Sequence, residues 1–161
     1  MGQLVEFALG LHVRSHHCLT TVLEHAGELS LADANREHEG FGYPSLRLQG
    51  HHVIGAERYW TSVMEGELDV SDDADDHPTM ASLESLRSRV ARRSASLIRS
   101  LGDDALQQPK TLHDWRGNEI VYAPLWVVMR TQTHLFHHLG QMAAMCRLLG
   151  RPIPGADFPL D

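Results

Sequence analysis

The chain has 161 residues, of which 42% are hydrophobic and 22% charged, with a net charge of −7. That length suits a single domain over residues 1–161, able to bury about 70% of its unfolded surface. The acidic balance excludes a nucleic-acid binder, which needs a basic face, and no run of about 18 apolar residues is present to span a membrane.

Leu4, Leu11, Cys18, Val22 and Leu29 recur at helical spacing and predict a first helix over residues 4–30. Residues 33–43 are polar and carry glycines, so they read as a loop. Pro44-Ser45 opens a second helix over 45–65, with Ser45 as its cap and an inner stripe of Leu48, His52, Ala56, Tyr59 and Val63. The acidic run in 66–78 lacks the glycine and distal glutamate of a calcium-binding EF-hand and reads as a solvated linker. Thr79 caps a third helix over 79–101, with Leu83, Leu86, Val90, Leu97 and Leu101 inward. Residues 111–123 carry Arg-Gly-Asn between β-tolerant residues and predict a short extended excursion or hairpin. Pro124 starts a fourth helix that runs to Leu149 and stops at Gly150, and the tail packs across the bundle through Phe158. The resulting class is all-α, a four-helix bundle.

Twelve of the residues are histidines, a high count that invites a search for clusters. His134 and His138 are four apart, so one helix points both imidazoles the same way. On a wheel centred on His138, Val127, Thr131, His134, Met142, Met145 and Leu149 fall within about 40°, whereas His137 lies about 100° away. His52 shares the stripe of the second helix, and His51 does not. Three imidazoles meeting in a helical bundle make a mononuclear divalent-metal site with an open coordination position, unless each is merely a hydrogen-bonded core residue.

His12 and His16 are also four apart, yet relative to Leu11 they lie about 100° and 140° round the first helix, a rim or surface position. His25 is nearer the inner face and ranks as a distant fourth ligand. His17, like His51 and His137, receives no role. No glutamate is followed by histidine at i+3, and HExxH, a Gly-rich phosphate loop and G-x-S-x-G are all missing. That set disfavours di-iron, zincin, phosphate-loop and serine-hydrolase chemistry. Cys18 and Cys146 form no CxxC pair and read as reduced core thiols; with no signal-peptide pattern at the N-terminus, they point to a cytoplasmic protein.

The stretch His134-Leu-Phe-His-His138-Leu-Gly-Gln141 resembles the HxxxHRGQ signature of the DinB/YfiT-like superfamily. His52-Val-Ile-Gly-Ala-Glu57-Arg58-Tyr-Trp60 is similar to its second motif, and Met142 onward resembles its closing stretch. The resemblance spans essentially the whole chain; Leu139 departs from it, standing where the signature usually has arginine. It implies a four-helix bundle with a rearranged up-and-down topology, and one divalent metal per chain on His52, His134 and His138. Zinc or nickel is implied first, with iron or manganese as alternatives. It also implies an enzyme using a low-molecular-weight thiol for S-transfer to a small-molecule substrate, and a homodimer. A metal-dependent hydrolase and a non-catalytic metal-binding or stress-response module are the rival readings. Glu57 and Gln141 are candidate partners for the imidazoles, with Glu57 placed toward solvent, about 140° from His52. Arg87, Arg89, Arg92, Arg93 and Arg99 form a solvated face or a contact for an anionic cofactor.

Overall fold

Capping chemistry and punctuation set the elements. In the computed structural model, which describes residues 2–69, 73–114 and 116–160, α1 spans Gln3–Gly27. Ser30 then accepts a hydrogen bond from the Asp33 amide and starts a one-turn helix, α2 (Leu31–Ala34), which runs two residues into the segment expected to be loop. Ser45 caps α3 (Leu46–Glu65), which ends on Gly66 at φ 85°, a backbone conformation that glycine adopts without strain. Thr79 and Ser82 form a reciprocal capping box for α4 (Met80–Gln107).

The regular stretch of the third helix reaches its expected end at Leu101. Gly102, at φ 73° and ψ 166°, is non-helical and kinks the chain, and a further helical stretch follows, anchored by fully buried Leu106. The same bend lets Asp103 accept a hydrogen bond from the Val5 amide, satisfying a donor at the start of α1. The excursion is an antiparallel hairpin of β1 (Lys110–His113) and β2 (Glu119–Tyr122), pairing Lys110 with Tyr122 and His113 with Glu119. Asp114 accepts from the Arg116 and Asn118 amides, closing the turn. Pro124 opens α5 (Pro124–Leu148), and Gly150 follows it at φ 73°.

The four long helices make an all-α four-helix bundle in which α1 and α3 each pack on both α4 and α5. Leu19, Leu23, Ile54, Leu83, Leu135 and Met142 form the main core, and a smaller cluster around Val5, Leu9, Ile98 and Leu106 fills one end. Gly50 allows close packing, since a Cβ there would meet the Leu23 and Leu83 side chains at a tight 3.2 Å. Cys18 and Cys146 are free thiols within the main core, and burial pushes the Cys146 thiol up to about 11. The tail crosses the bundle, with Phe158 edge-on to Phe136 and the Asp157 carbonyl accepting from the Cys18 thiol. Among the described residues no helix is long and apolar enough to cross a membrane.

Two stripes are rotated from their expected positions. On α1 Cys18 and Val22 of the expected stripe are buried, but in the first half of the helix the buried set is Val5, Ala8, Leu9, His12, Ser15 and His16, whereas Leu4 and Leu11 are only half-buried. On α3, Val63 of the expected stripe is buried, but so are Gln49, Val53 and Glu57, whereas Leu48, His52, Ala56 and Tyr59 are half-buried. Each helix touches two neighbours and buries a broad face, so the large aliphatic side chains alone misplace its centre.

Candidate metal centre

His52 comes from α3, and His134 and His138 from α5; the helices pack side by side and bring the three imidazoles together. His134 Nε2 lies 3.3 Å from His52 Nε2 and 3.1 Å from His138 Nε2. A tetrahedral ion with metal–nitrogen bonds near 2.0–2.1 Å needs nitrogen–nitrogen edges of about 3.3–3.4 Å, close to the two edges that meet at His134. The cluster sits at the rim of the core and not within it: His138 is buried, while His52 and His134 are half-buried.

The tautomer of His138 follows from its neighbours. Gln49 is fully buried, and its Nε2 donates to the Tyr43 carbonyl at 2.8 Å and to Gln141 Oε1 at 2.7 Å. Its Oε1 is therefore the acceptor facing His138 Nδ1. That places the proton of His138 on Nδ1 and the lone pair of Nε2 toward the other two histidines, the arrangement metal-ligating imidazoles adopt. Gln141 acts at one remove, holding Gln49 while donating to His137 Nε2 at 2.8 Å. Tyr43 completes the wall, its ring stacked on His52 at 3.8 Å and 18°.

The electrostatics favour neutral imidazoles. Burial, with the neighbouring histidines, lowers His52 and His138 to about 4. Burial and the positive Arg130 also lower His134. All three lone pairs are thus available at neutral pH. A cleft of about 350 Å³ reaches His52, bounded by Tyr43, Ala56, Arg58, Tyr59 and Asp69, so the rim position leaves that histidine accessible from the cleft.

The first helix requires a correction. His12 and His16 are not at the surface, being 2% and 5% exposed, and Glu57 is not solvent-facing, at 5%. Glu57 Oε1 accepts from His12 Nε2 at 2.9 Å and Oε2 from His16 Nε2 at 2.7 Å. Burial would raise the Glu57 carboxyl, but the electropositive edge of His16 and the two N–H bonds outweigh it and hold the group well below the carboxylate range. These three residues also have donor atoms close enough to be considered for a metal.

Their outer partners are wrong for one. Arg87 Nη1, which can only donate, lies 3.3 Å from His16 Nδ1, so that nitrogen carries the lone pair and Nε2 carries the proton given to Glu57. His12 Nδ1 is buried with no partner, whereas a ligating imidazole hands its outer N–H to an acceptor. The cluster is a hydrogen-bonded charge site joining α1 to α3.

His25 is also corrected. It is no fourth ligand, because its Nε2 donates to the Arg151 carbonyl at 2.9 Å, tying α1 to the tail. Leu139, at the arginine position of the signature, is 2% exposed and packs in the main core. Arg87 pairs with Glu84 and Arg93 with Glu65, while Arg89, Arg92 and Arg99 are exposed. In the acidic linker, residues 70–72 lie outside the described residues; Asp69 pairs with Arg58 at 2.9 Å and Asp75 with Arg47 at 3.8 Å. Gln49 and Tyr43 escaped the sequence reading. A buried glutamine one turn before His52 is a weak signal for Gln49, and nothing in the sequence marks Tyr43.

Residues 20–161 match the profile of the DinB family, which is most of the chain. No curated protein matches it.

Proposed function

Because the chain belongs to the DinB family, we propose that His52, His134 and His138 hold one divalent metal per chain in an enzyme that joins a low-molecular-weight thiol to a small electrophile. The observation that carries this reading is the Gln49-fixed tautomer of His138, which aims a lone pair at the 3.1–3.3 Å histidine cluster. Imidazole donors suit zinc and nickel best, with iron and manganese as alternatives. Such an ion supplies a positive charge that three neutral ligands leave intact, favouring loss of a proton from a thiol at neutral pH.

The chain's own residues do the rest. Gln49 and Gln141 fix the orientation of His138, and Tyr43 fixes the plane of His52. The cleft beside His52 admits the thiol, and the Arg58–Asp69 pair gives its wall a polar edge.

Elemental analysis of untagged protein beside a His52→Ala, His134→Ala double variant tests the site. About one metal per chain in the parent and almost none in the variant supports it; no uptake by the parent after reconstitution overturns it. A panel of thiols and electrophiles then tests the reaction. Thiol-independent ester or amide turnover by the loaded protein would make it a hydrolase, and no turnover at all would leave a metal-braced module.

A further inference from the structure

Between the hairpin and the first turns of α5 lies a groove of about 690 Å³, lined by Trp60, Ile120, Val121, Trp126, Val127 and Arg130. Trp126 and Val121 are 68% and 65% exposed, apolar surface of the kind that marks a ligand or partner site. The floor is ordered, with the Arg130 guanidinium 5.6 Å over the Trp60 ring. A guanidinium stacked in this way keeps its N–H edge free for a carboxylate or similar anion. Among the described residues no carboxylate lies within 4.0 Å of Arg130, and none lines the groove.

The groove leads toward the histidine cluster. Arg130 precedes His134 by one helical turn on the same face of α5, about 6 Å along the axis. Val127 lies on that face one turn earlier, and Trp60 is two turns beyond His52 on α3. An isologous dimer seated here would bury two Arg130 side chains with no groove carboxylate to pair them, so a second copy is a poor occupant.

We infer that this groove holds the electrophilic substrate: a small aromatic or otherwise apolar molecule with one anionic group, its body against Trp60 and Trp126 and its anion on Arg130. The assignment of the occupant as the electrophile rests on the reaction proposed above; the binding itself does not.

The test uses two fluorescent probes, 1-anilinonaphthalene-8-sulfonate and the uncharged N-phenyl-1-naphthylamine, on the full chain. Wild type should bind the sulfonate about tenfold more tightly than the neutral probe, and Arg130→Gln should erase that preference while leaving the neutral probe within about twofold. Trp126→Ala should weaken both probes. Arg130 and Trp126 are exposed, and unchanged circular dichroism will show that each variant is folded. Equal sulfonate binding by wild type and Arg130→Gln overturns the proposal. So does a dimer that excludes both probes and that Trp126→Ala dissociates.

The His52→Ala, His134→Ala variant separates this inference from the metal reading. It should keep Arg130-dependent sulfonate binding whether or not wild type takes up metal. In cobalt-loaded wild type the sulfonate should shift the visible absorption, and in Arg130→Gln it should not. Arg130-dependent binding with no such shift would overturn the groove's link to the histidine cluster. Failure of cobalt to load would instead strike the preceding proposal.

Discussion

Two histidine clusters occupy this bundle, and they differ both in the group the rings face, the Glu57 carboxylate in one and the His52 imidazole in the other, and in what lies behind the rings. Both use an i, i+4 pair on one helix and a third group from α3, and both bring their donor atoms close together. Behind His138 stands the acceptor Gln49 Oε1, which releases the inner nitrogen as a lone pair. Behind His16 stands the donor Arg87, which takes the outer lone pair and forces the inner nitrogen to carry a proton. Convergent side chains become a candidate metal site or a buried hydrogen-bonded charge according to the polarity of that outer partner. Burial follows the same division, with the metal candidate at the rim and His12, His16 and Glu57 all buried, although a cavity of about 570 Å³ reaches His12 and His16.

The largest expected contrast is in metal content. His134→Ala should lose nearly all bound metal, whereas His16→Ala should keep about one equivalent per chain, read by elemental analysis after dialysis. Metal lost equally from both variants would erase the distinction drawn here. Stability should respond in the opposite sense. Glu57→Ala leaves two buried N–H donors without an acceptor and should cost about 3–5 kcal/mol in urea unfolding. In the metal-free state half-buried His52→Ala should cost under about 1 kcal/mol by the same assay.

Gln49→Leu probes the outer partner directly. It should weaken metal binding about 10–100-fold in chelator competition, because His138 loses the acceptor that fixes its tautomer. Gln49→Glu keeps an acceptor at that place and should recover part of the affinity.

The smallest effect is a pH slope. In the metal-free protein His52 and His138 titrate at about 4, below the ordinary imidazole value of 6.5. Between those values the unfolded chain binds more protons than the folded one. Stability should therefore fall as pH drops from about 6.5 to 4 and level off below, as far as these groups are concerned. Glu57 behaves differently: its depressed carboxyl contributes fully above the ordinary carboxylate range, and that contribution is lost only as pH falls through its lower folded value. Urea midpoints across pH 4–7 for wild type and His52→Ala, His138→Ala check the first slope. An unchanged slope in the double variant would assign it elsewhere.

Much of the bundle was legible from local signals. Ser45, Thr79, Pro124 and Gly150 mark helix ends through chemistry that acts within one turn, and each does so in the structure. The Arg-Gly-Asn stretch announced the hairpin for the same reason. The helical turn after Leu101 was not foreseen, because whether a chain resumes a helix beyond a non-helical Gly102 depends on what the next turn can bury, and here Leu106 has a place in the core. The wheel misplaced His12 and His16 because Leu4 and Leu11 were read as the centre of a face they only border, and Glu57 because half-buried His52 was read as the centre of the α3 face.

By itself the sequence determined four amphipathic helices, their caps, and an i, i+4 histidine pair with a third histidine on a partner helix, since spacing on a helix is set by its 3.6-residue repeat. The motif residues also carried the resemblance to the DinB family, which the match over residues 20–161 bears out. Tertiary structure alone decided which face of each helix is buried and which atom stands behind each imidazole. Those depend on how two helices are rotated about their axes against common neighbours. No single helix encodes that rotation, and a change of one residue's arc carries a side chain such as Glu57 from solvent into a buried pair.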